Sequence, residues 1–326
     1  MRPIVPSGWR WPSVSKLLIL LLASLGLVGC NSESEPNYRA EFFTLGTQVE
    51  VQIRARTGDE AERQQAQQAF SVLGPQLQRM HRDWHPWEAG ELSDLNAGLA
   101  QGNWTATSPE LIDLIEISQT LETSADGLFN PAIGHVISRW GFHTSDFPIT
   151  EAPPSRLEID ALLASRPSTL QIEIDDRNVR THNPAIRLDF SGIGKGLAVH
   201  MVCEQLKQLG FQDALVNAGG DVMVCGETDQ PWRVAIRDPA GGVLQTLAID
   251  QPLAVFTSGN YYRYGEWNGE RYAHILDPRN GQPVNQVMQA TVIHADPLLA
   301  DAAATALIVA GSEHWLQTAD QMGIQR

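Results

Sequence analysis

Asp301 and Thr305 stand one helical turn apart in Ala300-Asp301-Ala302-Ala303-Ala304-Thr305, a carboxylate and a hydroxyl on a stretch otherwise stripped of polar groups. Asp296 followed by Pro297 reads as an N-cap and a first-turn proline, so the spacing predicts a helix from 297 to about 310. At i and i+4 the two side chains share one face. Two hard oxygen donors among alanines suit Mg²⁺ or Ca²⁺ with phosphate, because small neighbours let another backbone and an anionic ligand come close. Read alone, the segment is equally a packed alanine helix in which both side chains merely hydrogen-bond.

Other segments hold further chemistry. In Leu188-Asp189-Phe190-Ser191-Gly192-Ile193-Gly194-Lys195-Gly196 a strand meets a glycine-rich turn and then an amphipathic helix, Leu197 to Leu209, stopped by Gly210. Backbone amides in such a turn cradle an anion, and Lys195 is placed to pair with a phosphate. The spacing fits neither a Walker loop nor a dinucleotide fingerprint. Asn217-Ala218-Gly219-Gly220-Asp221 reads as a strand running into a tight turn, with glycines that permit positive φ and close approach of a ligand or another strand. The hydroxyls of Thr257 and Ser258 follow a buried strand and either face a site or cap a turn. His274 ends a short apolar strand, with Asp277 close enough in sequence to orient an imidazole acting as general base. His81 and His85 have i, i+4 spacing but no soft ligands near them, and are read as surface or cleft-rim residues.

These side chains must be held by elements the rest of the chain supplies. Arg2, Arg10 and Lys16 precede the apolar run Leu17 to Val28, which closes in Gly29-Cys30 and turns polar at once. A charged start, a short apolar core and a small-residue cut site make a secretory signal, too short for a permanent span. With cysteine closing the site, the pattern resembles a bacterial lipobox: residues 1–29 are expected to be removed, Cys30 acylated, and 30–40 to form an acidic tether. The remainder, 41–326, is long enough for a full core. The full chain's 38 acidic against 23 basic residues give a net charge of −15, which argues against nucleic acid or anionic lipid as the main partner. Cys203 and Cys225 are read as buried small hydrophobes in preference to a bridge.

Apolar Phe43, Leu45, Val49, Val51 and Ile53 predict a strand interrupted at Gly46. A helix is expected from about Asp59 to His81, kinked or restarted at Gly74-Pro75, and another from Ser108-Pro109-Glu110. Phe142 to Ser168, rich in proline and charge, reads as a variable excursion. Short runs after Ala214, bounded by glycine, proline and aspartate, indicate a mixed, largely antiparallel sheet flanked by helices, an α+β fold.

Taken in order, Leu45-Gly46-Thr47, Ser93 to Asn96, Asp126 to Pro131, Trp140 to Phe142, Asp189 to Gly196, Asn217 to Asp221, Thr257 to Gly259, His274 to Gly281 and Ala300 to Thr305 resemble the ApbE family, the FAD:protein FMN transferases. The resemblance implies an ApbE-like fold with a ligand cleft between two halves. It also implies an enzyme that takes FAD as substrate and moves its FMN half onto a threonine or serine hydroxyl of an acceptor protein, releasing AMP.

By the same resemblance, Gly192 (through its carbonyl), Asp301 and Thr305 would hold Mg²⁺. Leu45, Leu128, Phe129, Asn130, Asp189, Lys195 and Ile275 would line the FAD cleft, Asp189 to hydrogen-bond adenine or ribose, and His274 would help deprotonate the acceptor. Trp84-His85-Pro86-Trp87 replaces the family's usual Ser-Thr-Tyr run, leaving Trp84 or Trp87 to stack on the ligand. Asn130 stands where aspartate is usual, and Ala304 where some members carry a metal-neighbouring aspartate. A metal-dependent FAD pyrophosphatase and a non-catalytic flavin-binding lipoprotein are the alternatives. Family analogy points to acceptors among subunits of ion-pumping respiratory complexes and to a membrane-anchored, periplasm-facing location, with the inner membrane expected.

Overall fold

Val49, Val51 and Ile53 alternate with polar neighbours and are almost wholly buried, so Thr47–Arg54 (β2) lays one face on the core. It pairs back on Asn37–Thr44 (β1) through Leu45 and Gly46, whose φ angles are 53° and 68°. Positive φ at both turn residues matches the twist of the flanking strands, so the expected break at Gly46 is a hairpin turn. Pairing begins at Asn37 opposite Arg54, which puts 37–40 in the sheet and not in the tether. Tyr38 and Phe42, four apart on a strand and hence on one face, pack against the core and draw this stretch in. The computed structural model describes residues 37–325; the leader 1–29 and Cys30 lie outside the described residues.

The chain continues through α1 (Glu60–Asp83), α2 (Glu91–Ala100), β3 (Thr105–Ala106), α3 (Pro109–Ser124), α4 (Gly134–Arg139), α5 (Arg156–Leu163), β4 (Ile172–Asp175), β5 (Asn178–Thr181) and α6 (Gly194–Gln208). Then come β6 (Ala214–Ala218), β7 (Asp221–Val224), β8 (Trp232–Arg237), β9 (Val243–Ile249), β10 (Leu253–Gly259), β11 (Tyr264–Trp267), β12 (Glu270–Ala273), β13 (Gln289–His294) and α7 (Pro297–Gln321). The main sheet runs β1-β2-β6-β7-β10-β13 with every neighbour antiparallel. Among the described residues parallel pairing is confined to the single bridges Ile133 with Arg187 and Ile149 with Gly265. The α+β reading holds, and 37–325 fall in one compact unit.

Two helices position the chemistry. α7 packs on β10 and β13, α6 packs on β6, and the two pack on each other. Ala300, Ala302, Ala303, Ala304 and Ala306 are all buried, so small side chains bring α7 close against its neighbours. Asp296 caps α7 by accepting from the Leu298 and Leu299 amides, and Gly311, at φ 71° and ψ −178°, breaks the helical path where the spacing predicts an end.

One expectation about the middle of the chain fails. Pro75 does not interrupt α1: it sits on the exposed face beside exposed Ser71, whose freed carbonyl is open to water. The excursion from Phe142 to Ser168 carries α5 and buries Phe142, Ile149 and Ile159 in a second apolar cluster with Trp140 and Tyr272. Among the described residues no helix is long and apolar enough to cross a membrane.

Cys203 and Cys225 are buried as expected, but they are bonded to each other. α6 lies across the sheet so that the two Cα atoms come within 5.1 Å, a tertiary juxtaposition that a separation of 22 residues does not announce. Replacing both by alanine frees that loop in the unfolded chain and is expected to lower stability by about 3 kcal/mol. Equilibrium denaturation of the oxidised protein and the double variant measures the difference.

Candidate active site

α6 and α7 meet at their N-terminal ends, and Gly196 permits the contact. A Cβ there would lie 2.6 Å from the Pro297 carbonyl oxygen and 2.9 Å from Leu298 Cα, both fixed backbone. With the helices this close, the Gly196 N–H donates to Asp301 Oδ2 at 2.9 Å. Lys195 Nζ stands 2.9 Å from Asp221 Oδ2 and 3.5 Å from Asp301 Oδ1. Asp221 Oδ1 in turn accepts the Thr257 N–H at 2.8 Å. The site is therefore built around one ammonium between two buried carboxylates.

Burial opposes the charge on Lys195, but Asp221 and Asp301 outweigh it and hold the amine above its ordinary value. For Asp301 burial dominates and pushes the carboxyl up; Lys195 opposes that rise and Asp221 adds to it. Thr305 Oγ1 lies 3.0 Å from Ser258 Oγ. A Cβ on Gly192 would lie 3.5 Å from Thr305 Oγ1, so the Gly192 backbone borders the same point. The fold thus gathers Gly192, Asp301 and Thr305, as the sequence leads one to expect. A carbonyl, a carboxylate and a hydroxyl form an all-oxygen donor set that fits a hard divalent cation. Among the described residues no three His, Cys, Asp or Glu side chains cluster for a metal. A cation held by this trio keeps positions for water or phosphate, the habit of Mg²⁺.

His274 follows β12. Its Nδ1 lies 3.0 Å from the Arg263 carbonyl oxygen, which only accepts, so Nδ1 carries the proton and Nε2 bears the lone pair. Burial pushes the imidazole pKa down to about 4, with the Arg263 and Lys195 charges adding to the drop, so the ring is neutral at ordinary pH. Asp277 does not orient it. That carboxylate accepts from the Arg279 guanidinium and backbone amide and from Asn280, closing its own turn.

Gly192, Lys195, Asp221, Ser258, His274, Asp301 and Thr305 line a single cleft of about 2070 Å³, together with Leu45, Trp87, Leu128, Phe129, Asn130, Asp189 and Ile275. Trp84, although it borders the cleft, is 8% exposed and part of the core, whereas half-buried Trp87 stacks on His143 with centroids 5.2 Å apart. Trp87 is the tryptophan with ring surface left for a ligand.

Two cleft residues have less freedom than the resemblance implies. Asp189 Oδ2 pairs with His143 Nε2 at 2.9 Å while Oδ1 accepts from the Ser191 amide and hydroxyl, so the role towards adenine or ribose is not supported by free oxygens. Asn130 donates to the Pro167 carbonyl and accepts from the Ala132 amide, and so holds its own turn.

Four side chains escaped a role in the sequence reading. Asp221 and Ser258 stood in quoted motifs, but only the fold shows that they face Lys195 and Thr305. Buried Asn96 brackets Leu188, donating to its carbonyl at 2.9 Å and accepting its amide at 2.7 Å, which fixes the backbone leading into Asp189. His143 had no signal beyond following Trp140 to Phe142.

An antiparallel sheet backed by two helices, with an oxygen-donor cluster, a half-buried lysine and a neutral histidine in one cleft, defines a protein equipped to handle phosphate esters. The chain belongs to the ApbE family, whose profile matches residues 45–325. It is 40% identical over 296 residues to an FAD:protein FMN transferase of Rhodobacter capsulatus, covering 89% of this chain and 54% of that one, so it spans about half that relative's length. An FAD:protein FMN transferase of Vibrio cholerae is 27% identical over 314 residues, covering 93% of this chain and 90% of the relative. The crystal structure of the ApbE protein of Thermotoga maritima superposes with a TM-score of 0.78 at 26% identity, covering 88% and 91% of the two chains. The apo flavinyl transferase ApbE of Pseudomonas stutzeri gives 0.75 at 28% identity, covering 89% of each.

Removing the central cation isolates two buried carboxylates. Lys195→Ala is expected to destabilise the protein by about 2 to 3 kcal/mol, below the range for a fully buried pair because the side chain is partly exposed. Adding Asp221→Asn should recover part of that loss, which a double-mutant cycle by thermal or chemical denaturation measures.

Proposed function

We propose that this chain transfers the FMN half of FAD to a threonine or serine hydroxyl of an acceptor protein, forming a phosphoester and releasing AMP. The observation that carries the proposal is a neutral His274 with its Nε2 lone pair free of an assigned partner, in the same cleft as the Lys195, Asp301 and Thr305 cluster. The names of relatives and neighbours along nearly the whole chain support it.

In the reaction the acceptor oxygen attacks the FMN phosphorus, its proton passes to His274 Nε2, and the bond from that phosphorus to the bridging oxygen breaks as AMP leaves. Little covalent chemistry falls to the protein, so positioning and charge neutralisation carry most of the acceleration. Mg²⁺ held by the Gly192 carbonyl, Asp301 and Thr305 would neutralise pyrophosphate charge. Lys195 keeps Asp301 ionised for that role, and the α6 amide at Gly196 fixes its carboxylate. Trp87, Leu128, Phe129 and Ile275 offer apolar surface to the flavin or adenine rings.

The same proposal extends to location and partners: a lipoprotein acylated at Cys30, facing the periplasm from the inner membrane, with acceptors among subunits of ion-pumping respiratory complexes. The Cys203–Cys225 bond supports an oxidising compartment. Cys30→Ser is expected to abolish lipid attachment, read by mass spectrometry and membrane fractionation.

Residues 31–326 incubated with FAD, Mg²⁺ and an acceptor should release AMP and flavinylate the acceptor in equal amounts. AMP and free FMN without flavinylated acceptor would establish a hydrolase instead. Chelation or Asp301→Ala should abolish turnover, with Thr305→Ala milder because it removes no charge. His274→Ala should slow single-turnover transfer at least about tenfold at saturating acceptor with FAD affinity nearly unchanged. Because the base works deprotonated and its pKa is lowered to about 4, activity should persist as pH falls through the ordinary histidine range and decline only near that value. With Mg²⁺ saturating, so that Asp301 stays ionised despite its raised carboxyl, an acid limb in kcat/KM near an unshifted histidine value would show that another group is the base.

A further inference from the structure

β8 forms one rim of the cleft, and its residues alternate strictly: Trp232, Val234 and Ile236 are buried, whereas Arg233, Ala235 and Arg237 face out. Both arginines line the cleft. The strand is firmly anchored, since Trp232 Nε1 donates to Asp213 Oδ1 at 2.8 Å and Gln289 Nε2 donates to the Arg237 carbonyl at 3.1 Å. Arginines elsewhere are commonly matched by carboxylates, as in Arg54 with Asp213, Arg139 with Glu158 and Arg279 with Asp277. Among the described residues Arg233 and Arg237 have no ion-pair partner, in a chain whose net charge is −15. Two unneutralised guanidinium groups on a rigid strand, in so acidic a protein, mark a surface complementary to an anionic partner.

The surroundings indicate which anion. FAD's pyrophosphate is drawn to the Lys195 and Asp301 end, where metal donors and amides converge. The rim instead carries exposed apolar residues: Tyr262 is 67% exposed and Val243, paired with Arg237 across the hairpin, 59%. Arginine with aromatic and apolar side chains is the composition of a protein-binding surface rather than of a nucleotide pocket. Four residues of strand span about 13 Å, so the arginines match carboxylates spaced along an extended segment.

Building on the transferase reading, we propose that Arg233 and Arg237 dock an extended, carboxylate-bearing segment of the acceptor protein, holding the hydroxyl to be modified towards His274. The rim then sets acceptor choice, while the lysine-carboxylate cluster handles FAD.

The test compares wild type with the Arg233→Glu/Arg237→Glu and Arg233→Gln/Arg237→Gln variants, using an unmodified acceptor domain as substrate and flavin fluorescence to read FAD affinity. The charge reversal should raise KM for the acceptor at least about tenfold, the glutamine variant less, with FAD affinity unchanged. An acceptor whose acidic residues flanking the modified hydroxyl are replaced by lysine should be a poor substrate for wild type and a better one for the reversed variant. Unchanged acceptor KM with intact flavinylation overturns the docking surface and leaves the transferase reading standing. Loss of FAD affinity with unchanged acceptor KM assigns the arginines to flavin phosphate and likewise overturns it. If wild type releases AMP but flavinylates nothing, the transferase reading fails, and the docking surface with it.

Discussion

Two buried carboxylates, Asp221 and Asp301, share one ammonium, that of Lys195, and the arrangement of the fold follows from keeping them together. Neither acid can stay ionised away from water without a cation beside it, and the lysine cannot be buried charged without an acid. The three side chains come from α6, β7 and α7, so the ion cluster fixes how two helices lie on the sheet. Covalent structure reinforces it. Cys203 lies two turns along α6 from Lys195, and Cys225 directly follows the strand that Asp221 begins, so the disulfide braces the end of the α6–β7 contact remote from the ion pair. Gly196 and the alanines of α7 remove the bulk that would hold the helices apart.

The same charges determine what the cleft attracts first. Two carboxylates against one ammonium leave the cluster net negative when both are ionised, and an approaching pyrophosphate meets repulsion unless something intervenes. A hard cation at Gly192, Asp301 and Thr305, as proposed, would reverse the local sign and turn an acid-rich pocket into a phosphate site. The overall acidity of the chain and an anionic substrate are thus compatible. Charge needs to be reversed only where the oxygen donors converge, and the exposed arginines of β8 lie on a separate part of the wall.

What could be read from the sequence was whatever chemistry sits inside one element. The Asp301 and Thr305 face and the Asp296 cap are properties of consecutive residues and appear in α7 as read; the predicted end near 310 is a break at Gly311, beyond which the helix resumes to Gln321. Groups whose role depends on distant chain did not show. Asp221 acquires its meaning from Lys195 and Thr257, the cysteines from the way α6 crosses the sheet, and Arg233 and Arg237 from which wall β8 occupies. Nearness in sequence also misled: Asp277 is three residues from His274 but is taken up by the turn it closes, and the imidazole is oriented by a carbonyl from a different segment. Recognising the ordered motifs supplied the long-range grouping that local reasoning lacks. It could not show that Asp189 and Asn130 already have partners.

In the proposed transfer His274 is an unusually weak base, and the chemistry explains why that suits the site. Burial depresses its pKa, and the positive charges of Arg263 and Lys195 depress it further. In a loose phosphoryl-transfer transition state the attacking oxygen forms little bond before the leaving group departs, so its proton is given up late. A base then gains little from high intrinsic strength. It gains more from being unprotonated and already aimed, since a protonated ring contributes nothing as acceptor. The Arg263 carbonyl meets that need directly: by fixing the proton on Nδ1 it presents the Nε2 lone pair, and the neighbouring cations keep that lone pair free at working pH. The lysine that stabilises the acid cluster therefore also helps keep the base neutral, tying the two halves of the chemistry to one charge.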